Sequence, residues 1–169
     1  MSGALSLKAR FPYMFAGQHA GLTFYRGWTP VLARVCERID SILPAGKLGF
    51  RWVQIRADQG CGFFVYAFAR HQALVLDLQG ETRRALAFDM EDLVAAPVVA
   101  ELDLLVLDAE RVTSTACMVC GHRAELGFRF GYAITFCDRH APASLNQRGE
   151  EGLEGFWRES IEWEEGAST

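Results

Sequence analysis

The sequence predicts an α+β fold: a small antiparallel β-sheet packed by two helices, followed by a cysteine- and histidine-rich segment near the C-terminus. Apolar residues recur at helical spacing in two stretches of the chain. Between them lie segments in which apolar and aromatic residues predict strands. With 169 residues, of which 50% are hydrophobic, the chain is long enough to bury one sizeable core.

The first predicted helix follows Gly27-Trp28, with Thr29 as its N-cap and Pro30 at its first helical position. Its apolar stripe consists of Val31, Leu32, Val35, Cys36, Ile39, Ile42 and Leu43. Cys36 lies on this stripe, so we expect it to be a small core hydrophobe. The aromatic stretch 10–15 contains a proline and predicts an irregular N-terminal arm.

Strands are predicted after this helix. Leu48–Ala57 and Phe63–Phe68 flank the glycine-containing segment Asp58–Gly62, and together they predict an antiparallel hairpin. Ala73–Leu78 predicts a third strand. The segment Glu81–Asp92 suits a helical turn as well as a fourth strand, and we favour the strand.

The second predicted helix begins at Pro97 and leads into Cys117. Its buried stripe consists of Val99, Leu102, Leu105, Val106, Ala109 and Val112. A further strand is predicted over Phe128–Phe136, where apolar residues alternate. We therefore expect the helix to position the segment that begins at Cys117, and the strand to position the segment that begins at Cys137.

Those two segments carry paired metal-ligand signals. Cys117 and Cys120 form a CxxC pair, Cys137 and His140 form a CxxH pair, and sixteen residues separate the pairs. This spacing is typical of structural zinc ribbons and predicts a C-terminal zinc-ribbon knuckle that holds one zinc ion. A redox pair is the weaker alternative, and His122 lies too close to Cys120 to be the fourth ligand. Four protein ligands leave no open position for water, so the ion is expected to be structural.

These elements divide the chain into three predicted parts: an α+β core over 1–116, a zinc ribbon packed on it over 117–142, and an acidic aromatic tail over 143–169. Charge is segregated along the chain. Residues 1–70 have nine Lys and Arg against three Asp and Glu, whereas residues 150–169 have one against seven. The basic segment, of net charge +6, allows an acidic or phosphate-bearing partner, and pairing with the chain's own tail, of net charge −6, is equally allowed.

Cysteine usage predicts a reducing compartment. Three of the five cysteines are predicted metal ligands, and Cys36 and Cys61 remain, which is not the pattern of a disulfide framework. The chain shows neither an apolar run of about 18 residues nor a signal-peptide pattern. We therefore expect a cytoplasmic protein that does not bind membranes.

Catalytic motifs are not found in the sequence, and we expect no enzyme. Cys61 lies between two glycines and could act as a nucleophile with His19 or His71 as its base, but no spacing supports such a pair. An exposed hairpin cysteine without a catalytic role is the simpler interpretation. Phosphate-binding loops and metalloprotease or hydrolase motifs are missing as well, so we predict no catalytic residues and no organic cofactor.

Several of these features occur together in one family. Phe11-Pro12, Gly27-Trp28 at the helix start, Val53–Arg56 before a glycine-containing loop, and the CxxCG and CxxH pairs resemble a family of small bacteriophage and prophage proteins with a C-terminal CxxC…CxxH zinc ribbon. The resemblance covers about residues 10–142. It implies an accessory protein of a mobile element, located in the cytoplasm of a bacterial host. The loop Gln59–Gly62 departs from the family's Phe-Gly-Gly type of turn.

The favoured function is binding of a host protein or protein–RNA complex, and the phage resemblance implies an anti-defence role for it, such as inhibition of a CRISPR effector. Aromatic and arginine side chains dominate such interfaces, and the candidate contacts are Arg51, Arg56, Trp157 and Trp163. The alternative is a nucleic-acid-binding zinc-ribbon module, with phosphate contacts from Arg26, Lys47, Arg51, Arg56 and Arg70. The ribbon itself has nearly balanced charge, which favours the protein partner.

Overall fold

The computed structural model describes residues 3–16, 21–43, 47–68, 96–129, 132–140 and 158–161. The helices are α1 (Gly3–Arg10), α2 (Thr29–Ile42) and α3 (Ala96–Thr113), and the strands are β1 (Gly21–Tyr25), β2 (Phe50–Asp58), β3 (Cys61–Phe68), β4 (Glu125–Arg129), β5 (Tyr132–Phe136) and β6 (Arg158–Ile161). The predicted α+β class is confirmed. The strands predicted over 73–78 and 81–92 lie outside the described residues. None of the described helices is long and apolar enough to cross a membrane.

Among the described residues, the main sheet has four strands in the order β3-β2-β1-β6. The predicted hairpin is confirmed, because β2 and β3 pair antiparallel around the turn at Gln59-Gly60. The sheet is mixed rather than purely antiparallel, since β1 runs parallel to β2 with Leu22 opposite Ile55. The physical reason is the connection through α2, a helical crossover that brings the chain back in its original direction.

β6 extends the main sheet from the C-terminal part of the chain. It pairs antiparallel with β1, with Thr23 opposite Ser160 and Phe24 opposite Glu159. The segment predicted as an acidic aromatic tail therefore contributes one edge strand to the core sheet. Its predicted contact residues Trp157 and Trp163 lie outside the described residues.

The core lies between the sheet and the helices. α2 buries the predicted stripe through Val31, Leu32, Val35, Cys36 and Ile39, and α3 buries Leu102, Val106 and Ala109. The strands contribute a cluster of fully buried aromatic side chains that includes Phe24, Phe50, Trp52, Phe64 and Tyr66. Cys36 is a core residue as predicted, and burial raises the pKa of its thiol to about 12.

The N-terminus is more regular than predicted. The expected irregular arm is wrong: the chain forms α1, which buries Ala4 and Leu7, and then a short 3₁₀ helix over Pro12–Phe15. The proline starts this turn rather than disrupting it, as its fixed backbone angle allows. Tyr13 anchors the turn on α2, because its hydroxyl donates to Asp40 at 2.7 Å.

The start of α2 also differs by one position from the prediction. Thr29 is the first residue of the helix and Trp28 occupies the N-cap position, without a capping side-chain hydrogen bond. A 3₁₀ turn over Arg26–Trp28 links β1 to α2 and places Trp28 in the core, where it is fully buried. Its indole Nε1 donates to the carbonyl oxygen of Ala116 at 2.7 Å, so it joins the start of α2 to the segment after α3.

We expect Trp28→Ala to lower the free energy of unfolding by about 3–5 kcal/mol, because it removes a buried aromatic side chain. Trp28→Phe should cost about 1–3 kcal/mol, since it keeps most of the packing but leaves the buried Ala116 carbonyl without its donor. Urea unfolding of the two variants measures both values. Leu104→Ala, at a side chain that is 67% exposed, is the control and should change stability by less than about 0.5 kcal/mol. An unchanged urea midpoint in Trp28→Ala would contradict the packing described.

Candidate metal centre

The first ligand pair lies on a tight turn that follows α3. The amide of Gly121 donates to the carbonyl of Cys117 at 2.8 Å, and the amide of Cys117 donates to the carbonyl of His122 at 2.7 Å. Gly121 has a φ angle of +75°, a conformation that costs glycine little. This turn, Cys117–His122, is called the first knuckle below. It directs the side chains of Cys117 and Cys120 to one side.

The second ligand pair follows β5. The amide of His140 donates to the carbonyl of Cys137 at 2.8 Å, which closes a turn over Cys137–His140. The two pairs are joined through the backbone, because the amide of Met118 donates to the carbonyl of Thr135 at 2.9 Å. The hairpin thus carries the second pair to the first knuckle.

The β4–β5 hairpin differs from the strand predicted for this part of the chain. The single strand expected over Phe128–Phe136 is wrong, because β4 and β5 are two antiparallel strands with Arg129 opposite Tyr132. Two residues link them, and the glycine among them is typical of two-residue hairpin loops. Alternation of apolar residues alone does not reveal such a reversal, since both strands follow the same period of two.

The four predicted ligands come together. Their ligand atoms all lie within 4.8 Å of one another, so Cys117, Cys120, Cys137 and His140 form a cluster that can bind a metal ion. The Sγ atoms of Cys120 and Cys137 are 3.6 Å apart, and Nδ1 of His140 lies 3.3 Å from Sγ of Cys137 and 3.7 Å from Sγ of Cys117. A tetrahedral zinc ion needs separations of about 3.8 Å between sulfurs and about 3.6 Å between sulfur and nitrogen.

His140 and not His122 belongs to this cluster, in agreement with the choice made from the sequence. His122 is exposed, and its backbone carbonyl serves the first knuckle as an acceptor. The cysteines of the cluster differ in exposure to solvent: Cys117 is buried, Cys137 is partly buried and Cys120 is exposed. One side of the cluster therefore faces the protein interior and the other faces solvent.

The thiols interact electrostatically. Burial opposes ionisation of Cys137, but hydrogen bonds with His140, Cys120 and Cys117 lower its pKa to about 6. Burial raises the pKa of Cys120 to about 11, and the neighbouring thiols Cys137 and Cys117 add to the increase. Since a metal ion binds all three cysteines as thiolates, its binding must release protons.

The first knuckle contacts the 3₁₀ turn before α2 backbone to backbone. The amide of Gly27 donates to the carbonyl of Met118 at 2.9 Å. A Cβ atom at Gly27 would lie 2.1 Å from the carbonyl oxygen of Cys117, and one at Gly121 would lie 2.5 Å from the carbonyl oxygen of Gly27. Only glycine fits at these two positions. We call this contact, together with the hydrogen bond from Trp28 to Ala116, the Gly27 contact.

A second contact joins the β4–β5 hairpin to the turn between β2 and β3. The hydroxyl of Thr135 donates to the carbonyl of Gly60 at 3.0 Å. Next to this turn, the end of α3 contacts β3, because the amide of Gly62 donates to the hydroxyl of Thr113 at 2.8 Å. Thr113 and Thr135 are fully buried. These partners were not predicted from the sequence. The sequence gives little indication of these contacts, since a threonine at the end of a helix or in a strand is common without a buried hydrogen bond to a distant segment.

Of the four residues predicted to contact a protein partner, the structure describes two. Arg56 is exposed on β2, where its guanidinium lies 4.7 Å from the ring centroid of Phe63 and 3.3 Å from a carboxylate oxygen of Asp58. Arg51 is partly buried on the same strand, opposite Ala67. Neither arginine lies at the metal cluster.

Cys61 has the features of a structural residue. It is the first residue of β3, and its thiol donates to the carbonyl of Asp58 at 3.2 Å. Burial raises its pKa, and the charges of Glu110 and Asp58 raise it further. A nucleophilic cysteine needs the opposite shift. The two histidines considered as its base, His19 and His71, lie outside the described residues.

Taken together, fold and site define an α+β protein with a compact Cys₃His cluster that can bind a metal ion. Comparisons of the chain with protein-family models, with curated proteins and with solved structures find no match. The functional argument therefore depends on the contacts and charges of this chain.

We expect Gly27→Ala to lower the free energy of unfolding by about 3 kcal/mol and to weaken metal retention, because the new methyl group overlaps backbone atoms of the first knuckle. Denaturant titration and metal analysis of the purified variant measure the two effects. Gly127→Ala is the matched control, since a Cβ there meets only the carbonyl oxygen of Ile134, at 3.9 Å. The contact is incorrectly described if both variants lose stability equally.

Proposed function

We propose that the cluster holds one zinc ion as a structural centre that fastens the β4–β5 hairpin to the α+β core. The donor set supports this proposal: three sulfurs and one imidazole nitrogen lie within 4.8 Å of one another, and three of their separations, 3.7, 3.6 and 3.3 Å, are close to those of tetrahedral zinc. Thiolate and imidazole ligands favour zinc over magnesium or calcium, which prefer oxygen. Four protein donors fill the tetrahedron, so no position is left for a reacting water molecule.

Purified protein should contain about one zinc ion per chain, as measured by elemental analysis. Cys117→Ser, Cys137→Ser and His140→Ala should each lose the metal and destabilise the hairpin, because binding energy at such a site is folding energy, about 10–16 kcal/mol in isolated zinc fingers. The matched controls are His122→Ala and Cys61→Ser, which change the same residue types outside the cluster. Protein without bound zinc, or loss of zinc in the two controls, would contradict the assignment.

We further infer that the protein is a non-catalytic accessory protein of a bacteriophage or related element, which acts by binding a host protein or protein–RNA complex, as an anti-CRISPR-like inhibitor does. The resemblance seen in the sequence supports this origin. In the described part of the chain, a Cys₃His cluster without a fifth protein ligand, and two further cysteines whose pKa values are raised by burial, are consistent with a binding role. Arg56, stacked on Phe63 at the surface of the main sheet, offers the planar cation that protein interfaces favour.

The position of β6 favours a protein partner over nucleic acid. Residues 1–70 have net charge +6, and residues 150–169 have net charge −6. Because β6 pairs with β1, four residues of the acidic segment, Arg158–Ile161, join the sheet formed by the basic segment. Acidic groups near a basic surface lower its positive potential and its attraction for phosphates. Nucleic-acid binding therefore stays the second candidate.

The class of partner can be tested by capture from a bacterial host lysate with full-length protein, with and without nuclease. We expect capture of a partner to persist after nuclease treatment. The double variant Arg51→Ala/Arg56→Ala should capture less of it, because the two arginines lie together on one strand of the main sheet. Direct titration with DNA and RNA at low and physiological salt should detect negligible binding, since few counterions can be released. Capture is measured by mass spectrometry and titration by fluorescence anisotropy.

Two variants sharpen this test. Arg111→Ala, on an exposed part of α3, is the control for loss of one positive charge away from the main sheet. Glu162→Gln, Glu164→Gln and Glu165→Gln, combined, remove three acidic charges of the C-terminal segment but leave the residues of β6 unchanged. Tight, salt-sensitive binding of nucleic acid by the unmodified protein would reject the protein-partner proposal. Binding gained only by the combined variant would show that the acidic segment masks the basic one.

A further inference from the structure

β4 is the outer strand of the metal-bearing hairpin. Thr135 on β5 is fully buried, whereas Leu126 is 49% exposed and Phe128 is 77% exposed. Glu125 and Gly127, which alternate with them, are exposed as well. Within the residues that the structure describes, β5 pairs with one edge of β4 and no strand pairs with the other. A free edge with exposed apolar side chains is a template for pairing with another strand.

The main-chain groups at that edge can be assigned from the register. Arg129 and Tyr132 close a two-residue loop and so exchange main-chain hydrogen bonds. Hydrogen-bonded and non-hydrogen-bonded pairs alternate along an antiparallel ladder. Gly127 therefore bonds to β5, and the N–H and C=O groups of Leu126 and Phe128 point to the free edge.

The sequence of β4, Glu125-Leu126-Gly127-Phe128-Arg129, is complementary to itself. If two such strands pair antiparallel about the central glycine, each Glu125 lies opposite an Arg129, and each Leu126 lies opposite a Phe128. Opposite charges and apolar pairs are the cross-strand neighbours that stabilise antiparallel sheets. The glycines meet at the two-fold axis in a non-hydrogen-bonded pair, where Cα atoms approach to about 4.5 Å.

We propose that β4 pairs antiparallel with β4 of a second copy of this chain, centred on Gly127, so that two hairpins form one four-stranded sheet. The pair Leu126–Phe128 then exchanges both main-chain hydrogen bonds on each side of the axis. The interface is small, so the dimer is in equilibrium with monomer and its population depends on concentration. A closed two-fold dimer leaves both main sheets, with their Arg56 side chains, available for the partner proposed above.

Charge reversal tests the pairing. In full-length wild-type protein, sedimentation equilibrium should show an 18.8 kDa monomer in exchange with a species of twice that mass. Glu125→Arg or Arg129→Glu places like charges opposite each other at two symmetric sites, and should raise the dimer dissociation constant about tenfold to hundredfold. The double variant Glu125→Arg/Arg129→Glu restores opposite charges and should return the constant to within about threefold of wild type.

This rescue distinguishes pairing between chains from an effect within one chain. Glu125 and Arg129 are four residues apart on an extended strand, which places their Cα atoms about 13 Å apart, whereas the pairing proposed here places each of them directly opposite the other residue of the second chain. Arg111→Glu, the same charge change on α3, is the control and should leave the dissociation constant unchanged. Zinc content, measured on every variant, separates a failure of the dimer from a failure of the metal assignment. Monomer alone at every concentration, or a double variant as weak as the single ones, overturns the proposal.

Discussion

The structure depends on the Gly27 contact, where two backbone turns meet without intervening side chains. One turn leads from β1 into α2, and the other is the first knuckle of the metal cluster. Gly27 and Gly121 allow the approach, while Trp28 fills the core beside it and bonds to the carbonyl of Ala116. A substitution that distorts either turn should therefore disturb both the core and the metal centre.

The β4–β5 hairpin is held in place by its contacts with the rest of the fold. Two short strands are marginally stable in water, so β4 and β5 need support from elsewhere. A metal ion held by the Cys₃His cluster, as proposed above, would supply it at one end, and the buried hydrogen bond from Thr135 to Gly60 supplies it at the turn of the β2–β3 hairpin. The inner strand is thereby fixed to the core, and the outer strand is presented to solvent.

Local signals in the sequence predicted much of this. The spacing of the cysteines and His140 identified the residues that cluster, and the prolines at positions 30 and 97 predicted the starts of α2 and α3 to within one residue. Pairings between distant segments were missed: β1 parallel to β2, β6 against β1, and Gly27 against Gly121. The spacing of glycines and the composition of an edge strand do not indicate which distant segment a glycine or a strand will contact. Those contacts depend on how the whole chain packs.

The central claim is that the metal centre stabilises the Gly27 contact, at which the first knuckle meets the core. Hydrogen exchange measured by NMR on zinc-loaded protein, before and after removal of the metal by a chelator, tests it most directly. The amide of Gly27 and the indole N–H of Trp28 should exchange slowly with zinc and much faster without it, while amides in the β2–β3 ladder stay protected. Equal protection of Gly27 and Trp28 in both states would show that the core forms the contact without the metal, and would contradict the claim.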